Sequence, residues 1–235
     1  MAKVLWLSIV FAIGAYISGA IIDPDIWWHV TVGKWIMHNV AVPRFDYWNM
    51  FFAGQSWIAY SWLFDFAAGV VDYCFGVGGL FWFKLILSVS VCAAFCLTFS
   101  LLANDRFFGS LLGVYAALAC HGHFTLRPQL LVWIIFAAVI LLLERISEEG
   151  LKKRYALRLI LLFSLWANLH ISTVVGLFII PFWLYPKANV GLIGKCLLIG
   201  LLGTLITPYL GAEWLTFLSK SSHPFQHAAI AEFQP

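Results

Sequence analysis

The chain has 235 residues, of which 63% are hydrophobic and 11% are charged, and its mean hydropathy is +0.91. Soluble domains carry about 25% charged residues, so this composition excludes an ordinary soluble domain and predicts an integral membrane protein. The net charge of +3 is small, and no nucleic-acid partner is expected. The five cysteines include no CxxC pair, so neither a disulfide framework nor a zinc knuckle is predicted.

Apolar runs recur along the chain at close to the bilayer-spanning length of about 20 residues. They predict an all-α fold, a polytopic transmembrane helical bundle of about seven spans that forms one domain over 1–235. The first run resembles a secretory signal ending at Ser18-Gly19-Ala20, but it is longer than a signal core and is interpreted as an uncleaved helix. The predicted spans are 2–22, 79–103, 107–122, 129–146, 156–169, 171–185 and 194–208.

The distribution of Lys and Arg predicts how these spans are oriented. The most basic loop, 147–155, contains Lys152, Lys153 and Arg154, and the positive-inside rule places it in the cytoplasm. The N-terminus then lies in the cytoplasm and residues 23–78 lie outside. The candidate site is therefore expected on the non-cytoplasmic side of the membrane.

The predicted orientation requires that residues 61–76 do not cross the membrane. Asp65 and Asp72 lie on one face of this segment, and Gly76 ends it. That pattern is typical of an amphipathic helix lying in the membrane interface. The first external loop is therefore predicted to hold amphipathic juxtamembrane helices.

The external segment 23–78 holds six of the twelve tryptophans. Tryptophan favours the boundary between bilayer and water, so an aromatic belt that anchors surface helices explains much of this density. Such a belt does not explain the acidic residues among the tryptophans. Seven of the eleven acidic residues, and all seven histidines, fall on or near this side, where any chemistry is expected.

The first candidate site begins where the first span ends, at Asp23-Pro24-Asp25-Ile26-Trp27-Trp28-His29. One of the two carboxylates has a simple structural role as the cap of the following helix. Two acids one residue apart with a His one turn later are more than a cap needs. The group could bind a divalent cation through Asp23 and Asp25, or take a proton from a hydroxyl.

Two further groups lie on the same predicted side. Asp46 follows Pro43 and Arg44, and it either supports the first site, pairs with Arg44 or caps a turn. Arg127 opens a span with Pro128 and Gln129, where it either snorkels to headgroups or binds the phosphate of a lipid-linked substrate. The nearby His121-Gly122-His123 lacks a clear third ligand for a transition metal.

Polar residues also interrupt the apolar stretch near its end. Asn168 and His170 lie in Trp166-Ala167-Asn168-Leu169-His170, where they either line a cavity or join helices by hydrogen bonds. Glu232, in Glu232-Phe233-Gln234-Pro235, either reaches the same external cavity or belongs to a frayed terminus. No nucleotide loop, GxSxG or HExxH motif is present, so a soluble nucleotide-sugar or ATP substrate is not favoured.

These blocks resemble, in order, the N-terminal half of a bacterial family of polytopic membrane proteins in the glycosyltransferase C superfamily. Relatives of this kind read D-x-D-x-W-W-H-x-x-x-G-x-x-I, P-x-x-D, W-x-x-x-x-W-L, R-P-Q, W-A-N-L-H, T-P-Y and E-[WF]-Q-P. The resemblance runs from about residue 20 to the end, and such proteins usually continue beyond the last block. The matching residues are Asp23, Asp25, Trp27, Trp28, His29, Gly33, Ile36, Pro43, Asp46, Trp57, Trp62, Leu63, Arg127 to Gln129, Trp166 to His170, Thr207 to Tyr209 and Glu232 to Pro235.

The resemblance implies transfer of a sugar from a polyprenyl-phosphate donor to an acceptor on the non-cytoplasmic side. It also implies a location in a bacterial inner membrane, with the site facing the periplasm. Asp25, with Asp23, would be the general base or metal ligand, and Asp46 and His29 would support it. The predicted substrate-binding residues are Trp28, Arg127, Gln129, Asn168, His170 and Glu232. Two alternatives stay open: a non-catalytic membrane subunit whose Trp-rich loop docks a partner subunit or lipid, and a His-ligated metal or redox protein.

Overall fold

The computed structural model describes residues 2–19, 23–185 and 187–221, and the fold of these ranges is all-α, as predicted. Outside the helices, one isolated antiparallel bridge joins Phe45 to Ser56. A 3-10 turn, His121–His123, separates the fourth and fifth α-helices. The α-helices are α1 (Ala2–Ser18), α2 (Asp25–Asn39), α3 (Trp62–Leu102), α4 (Arg106–Ala119), α5 (Gln129–Glu149), α6 (Lys153–Leu169), α7 (Thr173–Leu184), α8 (Val190–Thr204) and α9 (Glu213–Ser221).

Two of these helices, α3 and α5, are long and apolar enough to cross a membrane. Each of the other predicted spans in the described residues is helical but shorter. α7, with 12 residues, is about 18 Å long at 1.5 Å per residue, against a hydrocarbon core of about 30 Å. The bundle of about seven spans therefore stays a prediction, while the helices themselves are present.

The segment 61–76 differs from the expectation of a separate surface helix. Gly76 interrupts the helical geometry there, with φ 62° and ψ −159°, a conformation that glycine adopts without steric strain. The chain resumes helical geometry at once, so α3 runs from Trp62 to Leu102 across a kink. Gly78 and Gly79, which follow the kink, lie inside the helix and do not end it.

The first part of α3 packs closely against α2 through two glycines. A Cβ atom built on Gly33 would lie 1.8 Å from the carbonyl oxygen of Asp65, and one built on Gly69 would lie 2.5 Å from the carbonyl carbon of Gly33. Only glycine at both positions allows the two backbones to approach this far. The contact fixes where the side chains of α2 lie relative to those of α3.

The acidic face of α3 is also placed differently from the expectation. Asp65 and Asp72 do share a face, but that face is turned toward α2 and not toward water. Asp65 contacts His29 at 2.6 Å, and Asp72 contacts Lys34 at 2.5 Å. Neither carboxylate is freely solvated, since their side chains are only 2% and 11% exposed.

The rest of the bundle is organised around α3, which packs against α1, α2, α4 and α5. In the C-terminal half of the bundle, from α5 onward, α6 packs against α5 and α8. Phe163 and Trp166, both on α6, stack there with ring centroids 6.1 Å apart. Tyr209, which follows α8, contacts the segment between α2 and α3. Its hydroxyl donates to the Pro43 carbonyl at 2.5 Å and accepts from the Ala59 N–H at 3.0 Å. This link holds the segment between α2 and α3 against the end of α8.

Candidate functional site

A cavity of about 320 Å³ opens where the start of α2, the segment before α3, the start of α5 and the end of α6 meet. It brings together six of the ten residues predicted from sequence to form the site. Those six are Asp25, Trp28, His29, Arg127, Gln129 and His170. The remaining walls come from Trp57, Ala59, Tyr60, Ser61 and Pro128.

Arg127 is held between the two carboxylates that follow α1. Its Nη2 lies 2.7 Å from Asp25 Oδ2 and donates to Asp23 Oδ1 at 3.1 Å, and its Nε donates to Asp23 Oδ2. The two carboxylates differ in burial, because the side chain of Asp25 is 58% exposed and that of Asp23 is 4% exposed. Arg127 and Asp23 therefore form a fixed pair, while Asp25 lies on the open side of the cavity.

Asp23 also performs part of the capping role expected of it. Its Oδ1 accepts the backbone N–H of Asp25 at 3.0 Å, at the first residue of α2. Burial alone would raise the pKa of the Asp23 carboxyl, but hydrogen bonds from Arg127, from the Asp25 N–H and from Thr125 outweigh burial and lower the pKa below 3.8. The buried Lys84 of α3 adds a second positive charge that interacts with Asp23. Asp23 is therefore an anion at neutral pH.

His29 and Asp65 form a hydrogen-bonded pair beside the cavity. His29 Nδ1 lies 2.6 Å from Asp65 Oδ1, and the Ser61 hydroxyl donates to the same oxygen at 3.2 Å. Asp65 is 1% exposed, and the ring of Phe64 meets the imidazole edge-on with centroids 5.0 Å apart. Asp65 was not among the predicted site residues. The available signal was a carboxylate within an apolar helical segment, which requires a polar partner.

Three tryptophans form one wall of the cavity and the support behind it. Trp28 makes edge-to-face contacts with Trp48 and Trp57, with ring centroids 5.6 and 5.9 Å apart, and Trp48 contacts Trp57 at 5.5 Å. Trp28 is 40% exposed, so part of its ring is available to a ligand. The mutual contacts hold that ring in one orientation.

Asp46 is a turn residue in this structure and lies outside the cavity lining. Its Oδ1 accepts the N–H groups of Trp48 and Asn49, both at 2.9 Å, which fixes the start of the loop between α2 and α3. Arg44 does not pair with Asp46: it donates to the Pro208 carbonyl at 3.1 Å and lies over the ring of Tyr209. The contacts of Asp46 match its alternative role as a turn cap, because local N–H donors satisfy its carboxylate, and its support of the first site stays a prediction.

Asn168 links helices and does not line the cavity. Its Oδ1 accepts from Trp62 Nε1 at 2.7 Å, and its Nδ2 donates to the carbonyls of Ser164 and Ile206 at 2.7 and 2.8 Å. These bonds join α6 to α3 and to the end of α8. These bonds match the alternative of a residue that joins helices, while the predicted substrate-binding role of Asn168 stays a prediction.

His170 and Gln129 bring further polar groups to the cavity. The Ser172 N–H donates to His170 Nδ1 at 3.1 Å, which assigns the proton of the neutral imidazole to Nε2. The Gln129 side-chain oxygen is buried and has no hydrogen-bond partner within the described part of the chain. A buried carbonyl oxygen without a donor is energetically costly, so a hydrogen bond from a water molecule or a ligand hydroxyl would stabilise it.

Two predicted groups remain to be placed. Glu232 lies outside the described residues. His121 and His123 are exposed in their 3-10 turn. Across residues 2–19, 23–185 and 187–221, no three His, Cys, Asp or Glu side chains are grouped to hold a metal ion, so a divalent cation at Asp23 and Asp25 remains a prediction.

No protein-family model, curated protein or solved structure matches this chain. The resemblance to the glycosyltransferase C superfamily therefore rests on the order and content of the sequence blocks. The structure contributes the three-dimensional proximity of the first block, Arg127-Pro128-Gln129 and His170 around one cavity.

Proposed function

We propose that the chain is an integral membrane protein of the glycosyltransferase C type, which transfers a sugar from a polyprenyl-phosphate donor inside the cavity. The observation that carries the proposal is the cavity itself, which is lined by the carboxylate of Asp25, two imidazoles and Arg127, the arginine that Asp23 also contacts. Asp25, Arg127 and His170 are far apart in sequence, and the fold brings them together around one polar cavity. The donor is delivered from the bilayer, and the sugar leaves on a hydroxyl or amine acceptor.

The membrane placement is supported by large apolar side chains that the fold leaves uncovered. They lie on α4, α7 and α8, and α7 contains no charged residue. Exposed apolar surface on this scale is costly in water and is covered by acyl chains in a bilayer. The clearest cases are Phe107, Tyr115, Phe178, Phe182, Val190 and Leu198, which are between 57% and 82% exposed.

Arg127 is the proposed phosphate-binding group, and it exchanges one of its present carboxylate partners for the donor phosphate. A guanidinium can hold two oxygens of one phosphate in the same fork geometry that it uses for a carboxylate. Asp23 keeps its contact with Arg127 because it is buried, whereas the exposed Asp25 gives way to the donor phosphate. Exposed ion pairs contribute about 0–1 kcal/mol, so this exchange costs little.

In the proposed reaction, the acceptor oxygen or nitrogen gives up a proton to a base in the cavity and bonds to the anomeric carbon of the sugar. The bond from that carbon to the phosphate oxygen breaks, and its electron pair leaves with the polyprenyl phosphate. Arg127 stabilises the charge that builds up on the leaving phosphate. The partly exposed ring of Trp28 offers an apolar face against which the sugar packs.

The test is transfer of radiolabelled sugar from a panel of polyprenyl-phosphate hexoses into other membrane components, with the protein in native membranes. The Arg127→Lys variant keeps the charge but loses the fork, and we expect at least a tenfold loss of transfer. Arg158→Lys, at an exposed position of α6, is the matched control and is expected to transfer as well as wild type. Equal transfer by both variants at equal abundance would remove Arg127 from the reaction.

A second candidate function, a membrane subunit that docks a partner, is favoured by the tip of the loop after Asp46. Met50, Phe51 and Phe52 are 83%, 78% and 53% exposed there, on a backbone fixed by the Asp46 turn. Incorporating a photo-crosslinking amino acid at position 51 in native membranes separates the possibilities. Crosslinks to one discrete protein support a subunit role, and crosslinks to lipid alone support an interfacial anchor.

A further inference from the structure

We infer that His29, positioned by Asp65, takes the proton from the acceptor hydroxyl in the cavity. The inference rests on the proposed transferase function and names the base of that reaction. It assigns Asp65 the role of a positioning residue, which touches His29 and not the substrate. The sequence instead predicts Asp25 as the general base or a metal ligand.

The pair has the geometry that such a role requires. Asp65 Oδ1 lies 2.6 Å from His29 Nδ1, and the carboxylate is 1% exposed. The Ser61 hydroxyl donates to the same oxygen at 3.2 Å. Burial raises the pKa of the Asp65 carboxyl, and the hydrogen bonds with His29 and Ser61 act against that rise. An ionised Asp65 only accepts hydrogen bonds, so it selects the tautomer with the proton on Nδ1, and Nε2 keeps a lone pair that can accept a proton.

The backbone contact between α2 and α3 holds the pair in place. Gly33 lies one turn after His29 on α2, and it packs directly on the carbonyl of Asp65. The imidazole also makes an edge-to-face contact with Phe64, which precedes Asp65 in the chain. His29 lines the 320 Å³ cavity although its side chain is only 12% exposed. The contacts with Asp65 and Phe64 therefore fix the imidazole beside the cavity.

Asp25 is less suited to the same role. Its Oδ2 already lies 2.7 Å from Arg127 Nη2, and its side chain is 58% exposed to solvent. Carboxylates are weak bases at neutral pH, whereas imidazole changes its protonation state near neutrality, where general-base catalysis is most effective. The charged and titratable groups that share the cavity with His29 are Asp25, Arg127, His170 and Tyr60.

The proton balance is simple. The acceptor O–H bond breaks as the new bond to the anomeric carbon forms, and the proton passes to His29 Nε2. The buried carboxylate of Asp65 stabilises the imidazolium that results, as an orienting carboxylate does for a general base. After the polyprenyl phosphate leaves, the imidazolium returns its proton to water in the cavity.

The test compares transfer by wild type with transfer by His29→Ala, Asp65→Asn and a control, Asp72→Asn. Asp72 matches Asp65 because it also reaches from α3 to a basic residue of α2, but it lies outside the cavity lining. General-base work typically contributes 10²–10⁴-fold, so His29→Ala should lose transfer to about that extent. Added imidazole should restore part of it, and a purely structural role for His29 would not respond to imidazole.

For Asp65→Asn, we expect a smaller loss of transfer and a shift of the acidic limb of the pH–rate profile to lower pH. The shift follows because removing the buried anion favours neutral imidazole. Asp72→Asn should keep the wild-type profile. A wild type that transfers sugar while His29→Ala stays within threefold of it would overturn the assignment. Absence of wild-type transfer from every donor would instead remove the proposed function.

A direct measurement of the His29 tautomer distinguishes a lost positioning role of Asp65 from loss of folding in the variant. In protein labelled with ¹⁵N-histidine, wild-type His29 should show protonated Nδ1 and unprotonated Nε2. Asp65→Asn should lose that preference, and Asp72→Asn should keep it. A wild-type His29 with its proton on Nε2 would contradict the proposed geometry without any activity measurement.

Discussion

Replacing Gly33 by alanine tests the backbone contact that holds α2, and with it His29, against α3. The added Cβ would lie 1.8 Å from the Asp65 carbonyl oxygen and 2.9 Å from the Gly69 nitrogen. Both neighbours are backbone atoms, so no side chain can rotate away. Restoring an ordinary contact of about 3.4 Å requires the helices to separate by roughly 1.6 Å.

The expected cost of Gly33→Ala follows from two opposing effects. Overpacking typically costs about 1–3 kcal/mol, and a clash between two backbones belongs at the upper end. Alanine in a helix gains about 1 kcal/mol relative to glycine. We therefore expect a net loss of about 2 kcal/mol in the free energy of unfolding, which corresponds to a fall in Tm of roughly 4–8 °C.

Thermal unfolding followed by tryptophan fluorescence in detergent measures this change. The matched control is Gly194→Ala on α8, where a Cβ would meet nothing within 4 Å. The control gains the helix propensity without the clash, so its Tm should rise slightly. A Gly33→Ala protein as stable as Gly194→Ala would refute the close approach of α2 and α3, and with it the fixed placement of His29 against Asp65.

Two further predictions concern the polar contacts around the cavity. Asp23→Asn should lower the free energy of unfolding at pH 7. Because the Asp23 pKa is lowered in the folded state, its stabilisation is complete well above pH 3.8 and is lost as the pH falls through the folded-state pKa. Denaturant titrations should therefore show wild type and variant converging in acid, and a constant difference would contradict the ion pair with Arg127. Asn168→Ala should cost about 1–3 kcal/mol without changing the KM for donor, because it leaves the part-buried Trp62 Nε1 without its acceptor. A raised KM at unchanged stability would return Asn168 to the binding site.

The helices were largely predictable because long apolar runs with few breakers leave the chain little choice of secondary structure. The predicted run 129–146 corresponds to α5 (Gln129–Glu149), and 156–169 corresponds to α6 (Lys153–Leu169). The join across Gly76 was not predictable, since a glycine cluster either ends a helix or kinks it. Tertiary packing of α3 against its neighbours decides between the two.

The site was predictable where one short block carries its chemistry, as in Asp25 and His29. It was not predictable where distant contacts decide the role of a residue. Asp65 was interpreted from its helical face alone, and only the approach of α2 reveals that His29 is its partner. Asp46 and Asn168 looked similarly polar, but local N–H groups satisfy the first and two other helices satisfy the second.

The most direct test of the account is an experimental structure in lipid nanodiscs with a non-hydrolysable polyprenyl-phosphonate sugar. We expect the phosphonate in the cavity within hydrogen-bonding distance of the Arg127 guanidinium, with Asp25 displaced and Asp23 still paired. The sugar should lie between Trp28 and His29. A phosphonate bound elsewhere, with Arg127 still paired to Asp25, would contradict the proposed transferase site.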